Sequence, residues 1–334
     1  MVLQVVGDES GSDGENLSQA THRMFSYGST SLSRDDASEI LRRTRRAIGS
    51  TSEEAVASSE LKSSKLFAKH RKVAESLFEP NGPFDGQASV YIADKTKFLA
   101  GKMVSLLLEE HQYRLREPLG FEKEAVLANE IADYVLPVLP DATRSRLLQT
   151  FNQLCRSYKA PYAPSGRASK FLDALRFAIV SASHDPRASK TLNWLWEARR
   201  EAYTIENEQV STRDLEPMLP TLLVVATTWH EHFGGPEFEI HMDEYRQMTP
   251  QMIDIVKGLA RGGWGVPLKD IIQVQSLDDP RVQVADWIAG AGRIAATEIL
   301  RGEFSRLSEL VLPFIDESSM RSPNSALEGW IAGV

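Results

Sequence analysis

The stretch Leu3-Gln-Val-Val-Gly-Asp8-Glu9-Ser10-Gly11 is an apolar run that ends in two acids, a serine and a glycine. The apolar residues predict a buried strand, and the residues after them predict a turn. Strands of an α/β sheet present functional groups at their carboxyl ends, which makes Asp8 a candidate metal ligand. A first strand that simply runs into a turn explains the same residues. Glu9 has the weaker claim, and is either a further acid beside the ligands or a turn residue.

Length and composition are those of a globular chain with room for a large core. The 334 residues predict one core domain with a sizeable insertion, or two domains. Hydrophobic residues make up 42% and charged residues 25%, and no apolar run approaches the ~20 residues of a membrane helix. The first residues lack the basic start of a secretory signal. We therefore expect a cytoplasmic protein with no membrane partner.

The cysteine count and the net charge narrow the possible functions. Cys155 is the only cysteine, which excludes an internal disulfide framework and cysteine-rich zinc sites. The net charge of −8 argues against a surface built for indiscriminate nucleic-acid binding, although one local basic face is compatible with it. The distribution of charge along the chain therefore matters more than its sum.

Residues 60–78 combine an acid with an amphipathic helix pattern. The lysines that share one side of this helix, counted at about 100° per residue, are Lys62, Lys65, Lys69 and Lys72. A metal-dependent phosphodiesterase needs such a pairing with Glu60, because the metal requires an anionic ligand and the flanking phosphates require cations. On this interpretation Lys62 and Lys69 bind substrate phosphates. A surface helix with a solvated lysine face explains the pattern equally well.

Two later strand patterns also end in acids. Residues 88–93 predict a strand followed by Asp94, and residues 237–242 predict one followed by Asp243 and Glu244. With Asp8, three strands of the predicted sheet therefore deliver carboxylates where they end.

The middle of the chain has a different pattern. Residues 98–233 show helical spacing punctuated by prolines and contain no convincing strand pattern. We therefore predict a core in two parts, residues 1–97 and 234–300, which a helical insertion at residues 98–233 interrupts. Residues 301–334 are predicted to form a weakly patterned C-terminal tail.

Small residues mark a helix near the end of the predicted core. Residues 271–274 predict the last strand, and residues 282–290 read Val-Gln-Val-Ala-Asp-Trp-Ile-Ala-Gly. The small and apolar residues of this second segment suit a helix that lies tightly against the sheet. Asp286 lies in the first part of this helix.

Four motifs together carry a family resemblance. They are Asp8-Glu9-Ser10-Gly11, Phe25-Ser-Tyr-Gly28, Glu60-Leu-Lys62 and Gln283-Val-Ala-Asp286-Trp-Ile-Ala-Gly290. In their order and separation, over residues 1–97 and 234–300, they resemble the domain-of-unknown-function 3800 family. The resemblance implies a ribonuclease H-like α/β fold, in which the central strand of a mixed sheet carries Asp8 and helices flank the sheet. The helical middle of the chain would be a large insertion into that fold.

The resemblance also implies a carboxylate cluster at one edge of the sheet. Its catalytic residues and metal ligands would be Asp8, Glu60, Asp243 and Asp286. Carboxylates this close raise one another's pKa, and a divalent cation, Mg²⁺ or Mn²⁺, resolves the repulsion. The implied reaction is hydrolysis of phosphodiester bonds in DNA or RNA.

Two positions of this set stay open at the level of the sequence. A simple ribonuclease H strand order favours Asp94 as the fourth ligand, whereas the pair Asp243-Glu244 better matches the later acidic strand end of the family, and we prefer Asp243. The chain also has Gln275 where similar sequences lead us to expect an acid before Ser276. The acids that could compensate are Asp278 and Asp279, and otherwise the position is dispensable.

The sequence therefore supports two hypotheses of function. The first is a cytoplasmic nuclease that depends on Mg²⁺ or Mn²⁺ and acts on nucleic acid through the carboxylate cluster. The second is a non-catalytic binding or scaffold protein that uses its helical insertion to engage a protein partner. Convergence of the four acids in space is the feature that separates the two hypotheses.

Overall fold

A mixed five-stranded β-sheet forms the centre of the molecule. The computed structural model describes residues 2–12, 14–18, 22–49, 60–156, 165–208 and 215–333. The strands are β1 (Leu3–Ser10), β2 (Met24–Thr30), β3 (Ala88–Asp94), β4 (Phe238–Asp243) and β5 (Leu268–Val274). Their order is β3-β2-β1-β4-β5, where β2 is antiparallel to both of its neighbours and β4 is parallel to both β1 and β5. The predicted α/β class is confirmed, and β1 is the central strand.

Helices account for most of the remaining chain. The α-helices are α1 (Arg34–Ala47), α2 (Ser63–Ser76), α3 (Lys95–Met103), α4 (Glu110–Arg114), α5 (Phe121–Glu130), α6 (Leu136–Val138), α7 (Asp141–Cys155), α8 (Arg167–Ser181), α9 (Pro186–Glu197), α10 (Arg199–Glu208), α11 (Met218–Phe233), α12 (Pro250–Gly263), α13 (Pro280–Leu300), α14 (Arg306–Val311) and α15 (Ala326–Ala332). Two π-helical turns, Val104–Glu109 and Ile131–Val135, join α3 to α4 and α5 to α6. None of the helices in the described part of the chain combines the length and the apolar character needed to cross a bilayer.

Helix α13 covers one face of the sheet at very short range. A Cβ atom at Gly28 of β2 would lie 2.3 Å from the backbone N of Ala289 and 2.6 Å from the backbone O of Ala285. The hydroxyl of Ser26 donates a hydrogen bond of 2.6 Å to the carbonyl of Ala289. The small residues of α13 let this helix lie tightly against the sheet, as predicted. Glycine at position 28 of β2 is needed as well, because a side chain there would keep the two backbones apart.

The two faces of the sheet have separate hydrophobic cores. On the side of α13, residues such as Met24 and Ile92 are buried with Trp287, and α1 and α2 complete this layer. On the other side, Phe25 and Ile240 are buried among apolar residues of α11 and α12. Alternate residues of each strand therefore point into different layers, so strand position decides which face a polar side chain reaches.

The helical insertion has a third core of its own. Buried side chains of α7, α8 and α9, among them Phe151, Phe171 and Leu192, share one hydrophobic cluster. The described parts of residues 98–233 contain helices and no strand, as the spacing predicts.

The C-terminal segment, predicted from its weak pattern to be a tail, packs against the core. Bridges in parallel orientation join Val90 to Ile315 and Ala93 to Met320, along the outer edge of β3. Leu327 and Trp330 of α15 are buried in the core beside α13. An exposed strand edge invites pairing with other chains, and this segment covers it. The sequence pattern missed it because Pro313 and Pro323 interrupt any regular period.

Candidate functional site

Asp8 and Asp243 lie side by side at the carboxyl ends of two parallel strands. The register pairs Gly7 of β1 with Met242 of β4, and the two aspartates follow directly after this pair. Asp8 is opposite Gly28 of β2, where α13 lies against the sheet, and only 5% of its surface is exposed. Strand alternation therefore directs both carboxylates to the face that α13 covers.

Asp286 on α13 binds the start of α2. The backbone N–H of Ser63 donates to Oδ2 of Asp286 at 2.6 Å, and the Ser63 hydroxyl donates to Oδ1 at 2.8 Å. The indole N–H of Trp287 donates to the carbonyl of Leu61 at 2.6 Å. A Cβ at Gly290, one turn further along, would lie 2.4 Å from the Ser63 Cβ. Helix α13 therefore fixes the position of the segment that carries Glu60 and Lys62.

Lys62 is the cation of this region. Its Nζ lies 2.5 Å from Oε1 of Glu60, and half of its side-chain surface, 50%, is exposed. Burial acts to lower the pKa of Lys62, but the hydrogen bond to Glu60 and the charges of Glu60, Asp286 and Asp8 outweigh it and raise the pKa. The ammonium group is therefore held among three of the four predicted acids.

The carboxylates act on one another strongly. Burial raises the pKa of Asp8 well above its ordinary value, and the charges of Glu9, Asp286 and Asp243 raise it further. Burial also raises the pKa of Asp243 and of Asp286, with a contribution from the charge of Glu60 in each case. The charges of Asp8, Glu60, Asp243 and Asp286 thus act on one another or on Lys62, and in this electrostatic sense the four acids form the carboxylate cluster. Glu9 belongs to β1 and contributes its charge to the same region.

Lys69 lies outside this cluster. It is exposed on the solvent side of α2, together with Lys65 and Lys72. Since Lys62 caps the same helix, the exposed lysines extend away from the carboxylates along α2 at about one residue per turn.

Asp94 has a different environment. The guanidinium group of Arg23 binds it through two hydrogen bonds, Nε to Oδ1 at 3.0 Å and Nη2 to Oδ2 at 2.6 Å. It also caps α3, because its Oδ1 accepts from the backbone N–H of Thr96. Strand β2 separates β3 from the strand of Asp8, and the charge of Asp94 is not among those that raise the pKa of Asp8. The charge of Asp243 therefore acts on Asp8, whereas the carboxylate of Asp94 is bound by Arg23.

The surroundings of Gln275 show how the acids near this position are used. Asp279 is fully buried and accepts hydrogen bonds from Arg281 and Arg34, which neutralise its charge. Asp278 is exposed in the turn before α13. The Gln275 side chain itself donates to Glu244 at 3.3 Å. The structure therefore shows Asp279 bound by two arginines and Gln275 bound to Glu244.

Three carboxylates of the cluster are occupied by protein donors. Asp8 accepts from the backbone N–H of Glu9, while Glu60 and Asp286 engage Lys62 and Ser63. Among the residues that the structure describes, no group of three or more Asp, Glu, His or Cys side chains is positioned to hold a metal ion. The donors fit a hard divalent cation chemically, because all are carboxylate oxygens.

Some residues near the cluster were not identified from the sequence. Ser63, which holds Asp286, was detectable as a capping residue beside Lys62. Glu216 and Tyr245 were not detectable, because the residues that meet at Glu216 are far apart in the chain. The Tyr245 hydroxyl donates to Glu216 at 2.5 Å, and the Glu216 side chain lines a cavity of about 20 Å³ behind β1. Glu9 connects the two regions, since its charge acts on Glu216 as well as on Asp8.

Glu216 should make the protein less stable as the pH rises. Burial raises its pKa from 4.5 to about 7, with help from the charges of Glu15 and Glu9 and against the hydrogen bond from Tyr245. The folded state therefore holds a proton that the unfolded state releases, and stability is lost between pH 4.5 and 7. We expect Glu216→Gln to match the wild type at pH 4 and to exceed it at pH 8 by on the order of 2–4 kcal/mol.

Urea unfolding of both proteins across this pH range measures the difference. Glu122→Gln, at an exposed position of α5, serves as the control and should leave stability unchanged at every pH. A constant difference between Glu216→Gln and the wild type from pH 4 to pH 8 would contradict the assignment.

Comparison of the chain with protein-family models, with curated protein sequences and with solved structures gives no match. The family resemblance of the four motifs therefore stays a prediction. The case for a function rests on the chemistry of the cluster itself.

Proposed function

We propose that this chain is a cytoplasmic nuclease with a ribonuclease H-like core, and that it hydrolyses phosphodiester bonds with Mg²⁺ or Mn²⁺ at the carboxylate cluster. One observation carries the proposal: Asp8 is buried on the central strand, and the charges of Glu9, Asp243 and Asp286 act on it together. Such an arrangement is unfavourable without a cation, because each ionised carboxylate disfavours the next. The order of the strands, with β1 central, supports the ribonuclease H-like fold.

Asp8, Asp243 and Asp286, with Glu60, would hold the cation. A bound divalent ion would supply a more acidic water and a counter-charge for phosphate oxygens. Asp8 and Asp243 contribute ligands from rigid strand ends, and α13 brings Asp286 to them from above. Lys62, whose half-exposed ammonium group lies beside Glu60, would bind a phosphate of the substrate.

The exposed lysines of α2 provide a path for the rest of the substrate backbone. None of Lys65, Lys69 and Lys72 forms an ion pair with a carboxylate of the described residues. Lys65 and Lys69 lie on the part of α2 before His70, where non-helical backbone angles kink the helix, and Lys72 lies after the kink. This basic face, on a chain whose net charge is −8, gives a polyanion a defined direction of approach.

Lys69→Ala should weaken substrate binding and leave the chemical step almost unchanged. Lys69 lies outside the cluster, so its loss removes one phosphate contact and reduces the slope of log affinity against log salt by about 1. Binding to a labelled oligonucleotide between 50 and 200 mM salt in EDTA measures this slope. Lys123→Ala, an exposed lysine of α5, is the matched control and should change nothing. If Lys69→Ala and Lys123→Ala have the same affinity and the same salt slope, the proposal that the substrate follows α2 is wrong.

The test of the function is cleavage by the purified protein. Single- and double-stranded DNA and RNA are each incubated with Mg²⁺, Mn²⁺ or EDTA, and the melting temperature is measured with and without Mn²⁺. We expect cleavage of at least one substrate that EDTA abolishes, and a rise in melting temperature with Mn²⁺. The absence of both would refute the nuclease and favour the scaffold hypothesis, in which the helical insertion binds a protein partner.

A further inference from the structure

A cleft in the helical insertion lies between α8 and the junction of α9 with α10. Its volume is about 460 Å³, and it is distant in sequence from the carboxylate cluster. The polar and aromatic residues that line it are Ser169, Asp173, Arg176, Trp196, Arg199, Arg200 and Tyr203. Ser169, Asp173 and Arg176 are four and three residues apart, which places them on one face of α8. Trp196 lies near the end of α9, and the remaining polar and aromatic lining residues lie in α10. The face of α8 and this junction therefore form one cationic and aromatic cleft.

Trp196 organises the arginines of this cleft. The guanidinium carbon of Arg176 lies 4.6 Å from the centre of the indole ring, and that of Arg199 lies 5.5 Å from it. Arg199 also donates through Nη1 to the carbonyl of Trp196 at 3.1 Å. Stacking on the ring and this hydrogen bond hold two planar cations in place without neutralising their charge.

The charge of the cleft is not balanced by neighbouring acids. Arg176, Arg199 and Arg200 form no ion pair within the described part of the chain, and Asp173 is the acid that lines the cleft. Another stacked arginine in the insertion shows the contrast. Arg187 lies 4.0 Å from the ring centre of Tyr134, but Glu130 binds it in an ion pair. The cleft therefore keeps a local positive charge on an acidic protein.

We propose that this cleft binds an unpaired nucleotide of single-stranded DNA or RNA. Planar guanidinium groups bind phosphate through paired N–H donors and also stack on bases. Tyr203, with 45% of its surface exposed, offers a further stacking face beside them. The bases of a duplex are already paired and stacked, so they cannot enter such a cleft. Binding is independent of the cluster, whereas its use in placing a substrate strand rests on the proposed nuclease function.

The experiment measures the binding of labelled 12-nucleotide oligo(dT) and oligo(U) by fluorescence anisotropy in EDTA, between 50 and 200 mM salt. The combined variant Arg176→Ala, Arg199→Ala and Arg200→Ala should lose at least tenfold in affinity and have a shallower salt dependence. Tyr203→Ala should lose roughly fivefold or more with the salt slope retained, because it removes stacking and no charge. Arg187→Ala, the matched control, should stay within twofold of the wild type. Circular dichroism and melting temperature check that each variant is folded.

Several outcomes would overturn the proposal. These are equal losses for Arg187→Ala and the combined variant, unchanged binding by the combined variant, or equal affinity for a duplex of the same length. Heparin bound as tightly as the oligonucleotides, with no effect of Tyr203→Ala on the oligonucleotides, would indicate a general polyanion site instead. Asp8→Asn separates the two proposals, since it should abolish cleavage and leave this binding intact.

Discussion

Asp8→Asn should lower cleavage in the presence of Mg²⁺ or Mn²⁺ by about 10²–10⁴-fold or more, because it removes both a ligand charge and an electrostatic contribution to the transition state. The asparagine has nearly the same shape as the aspartate, so packing around β1 is preserved. Single-turnover cleavage by the wild type and the variant, at equal metal concentration, measures the effect. The loss should be larger at low Mn²⁺ concentration, since the variant also binds the ion more weakly.

The same substitution should stabilise the metal-free protein. The pKa of Asp8 is raised above its ordinary value of 3.8, so the folded state binds a proton that the unfolded state releases. The contribution of Asp8 to stability is therefore present below pH 3.8 and is lost as the pH rises through its folded pKa. The asparagine does not titrate, so Asp8→Asn does not lose stability in this way. Its melting temperature in EDTA should therefore exceed that of the wild type by an amount that grows with pH. Each kcal/mol relieved corresponds to about 2–4 °C.

Two further variants sharpen the test. Asp243→Asn should reduce cleavage as Asp8→Asn does, because the two carboxylates are neighbours at the ends of β1 and β4. Asp94→Asn is the matched control: it also changes a buried strand-end acid, but one that Arg23 binds, and it should cost stability and not cleavage. Equal cleavage by Asp8→Asn and the wild type would mean that another site or a contaminant is responsible.

Regular hydrophobic patterns made much of the core predictable from the sequence. The stretch that begins at Leu3 forms β1, and the small residues around Gly290 form the helix that lies against the sheet, because strand and helix periods depend only on neighbouring residues. The arrangement of Asp8 with Asp243 follows from the pairing of parallel strands, which a pattern of acids at strand ends suggests. Local sequence patterns therefore predict the strands and the helix on which the candidate site is built.

Contacts between distant segments were beyond the reach of the sequence. Residues 315–320 pair with the edge of β3, which would otherwise be exposed. The hydrophobic pattern of these residues does not predict the pairing, because the pairing depends on a strand far away in the sequence. The hydrogen bonds of Ser63 to Asp286 join residues more than two hundred positions apart. The present partners of Glu60 and Asp286 likewise depend on side-chain orientation, which residue types and spacing leave undetermined. The hydrogen-bond partners of each carboxylate are therefore known only from the folded structure.

Asp279 and Asp8 are both buried, but the partners of the two acids differ. It is fully buried, and it accepts from Arg281 at 2.7 Å and from Arg34 at 3.2 Å. It also caps α13, since Oδ1 accepts from the backbone N–H of Arg281. Burial acts to raise the pKa of Asp279, but the hydrogen bonds and charge of Arg281, with the charge of Arg34, outweigh it and lower the pKa. Its ionised form is therefore stabilised by the fold, in contrast to that of Asp8.

Asp279→Ala should destabilise the protein by about 3–5 kcal/mol, because Arg281 is left buried without its counter-charge and α13 loses its cap. The depressed pKa makes this contribution present above pH 3.8, and it is lost as the pH falls through the folded pKa. Urea unfolding at pH 7 measures the cost, and Asp278→Ala, the exposed neighbour, should change stability by less than about 0.5 kcal/mol. At a temperature where it is folded, Asp279→Ala should keep the rise in melting temperature with Mn²⁺. Loss of that rise would instead make Asp279 the acid that compensates for Gln275, since only a ligand of the ion couples its removal to Mn²⁺ binding.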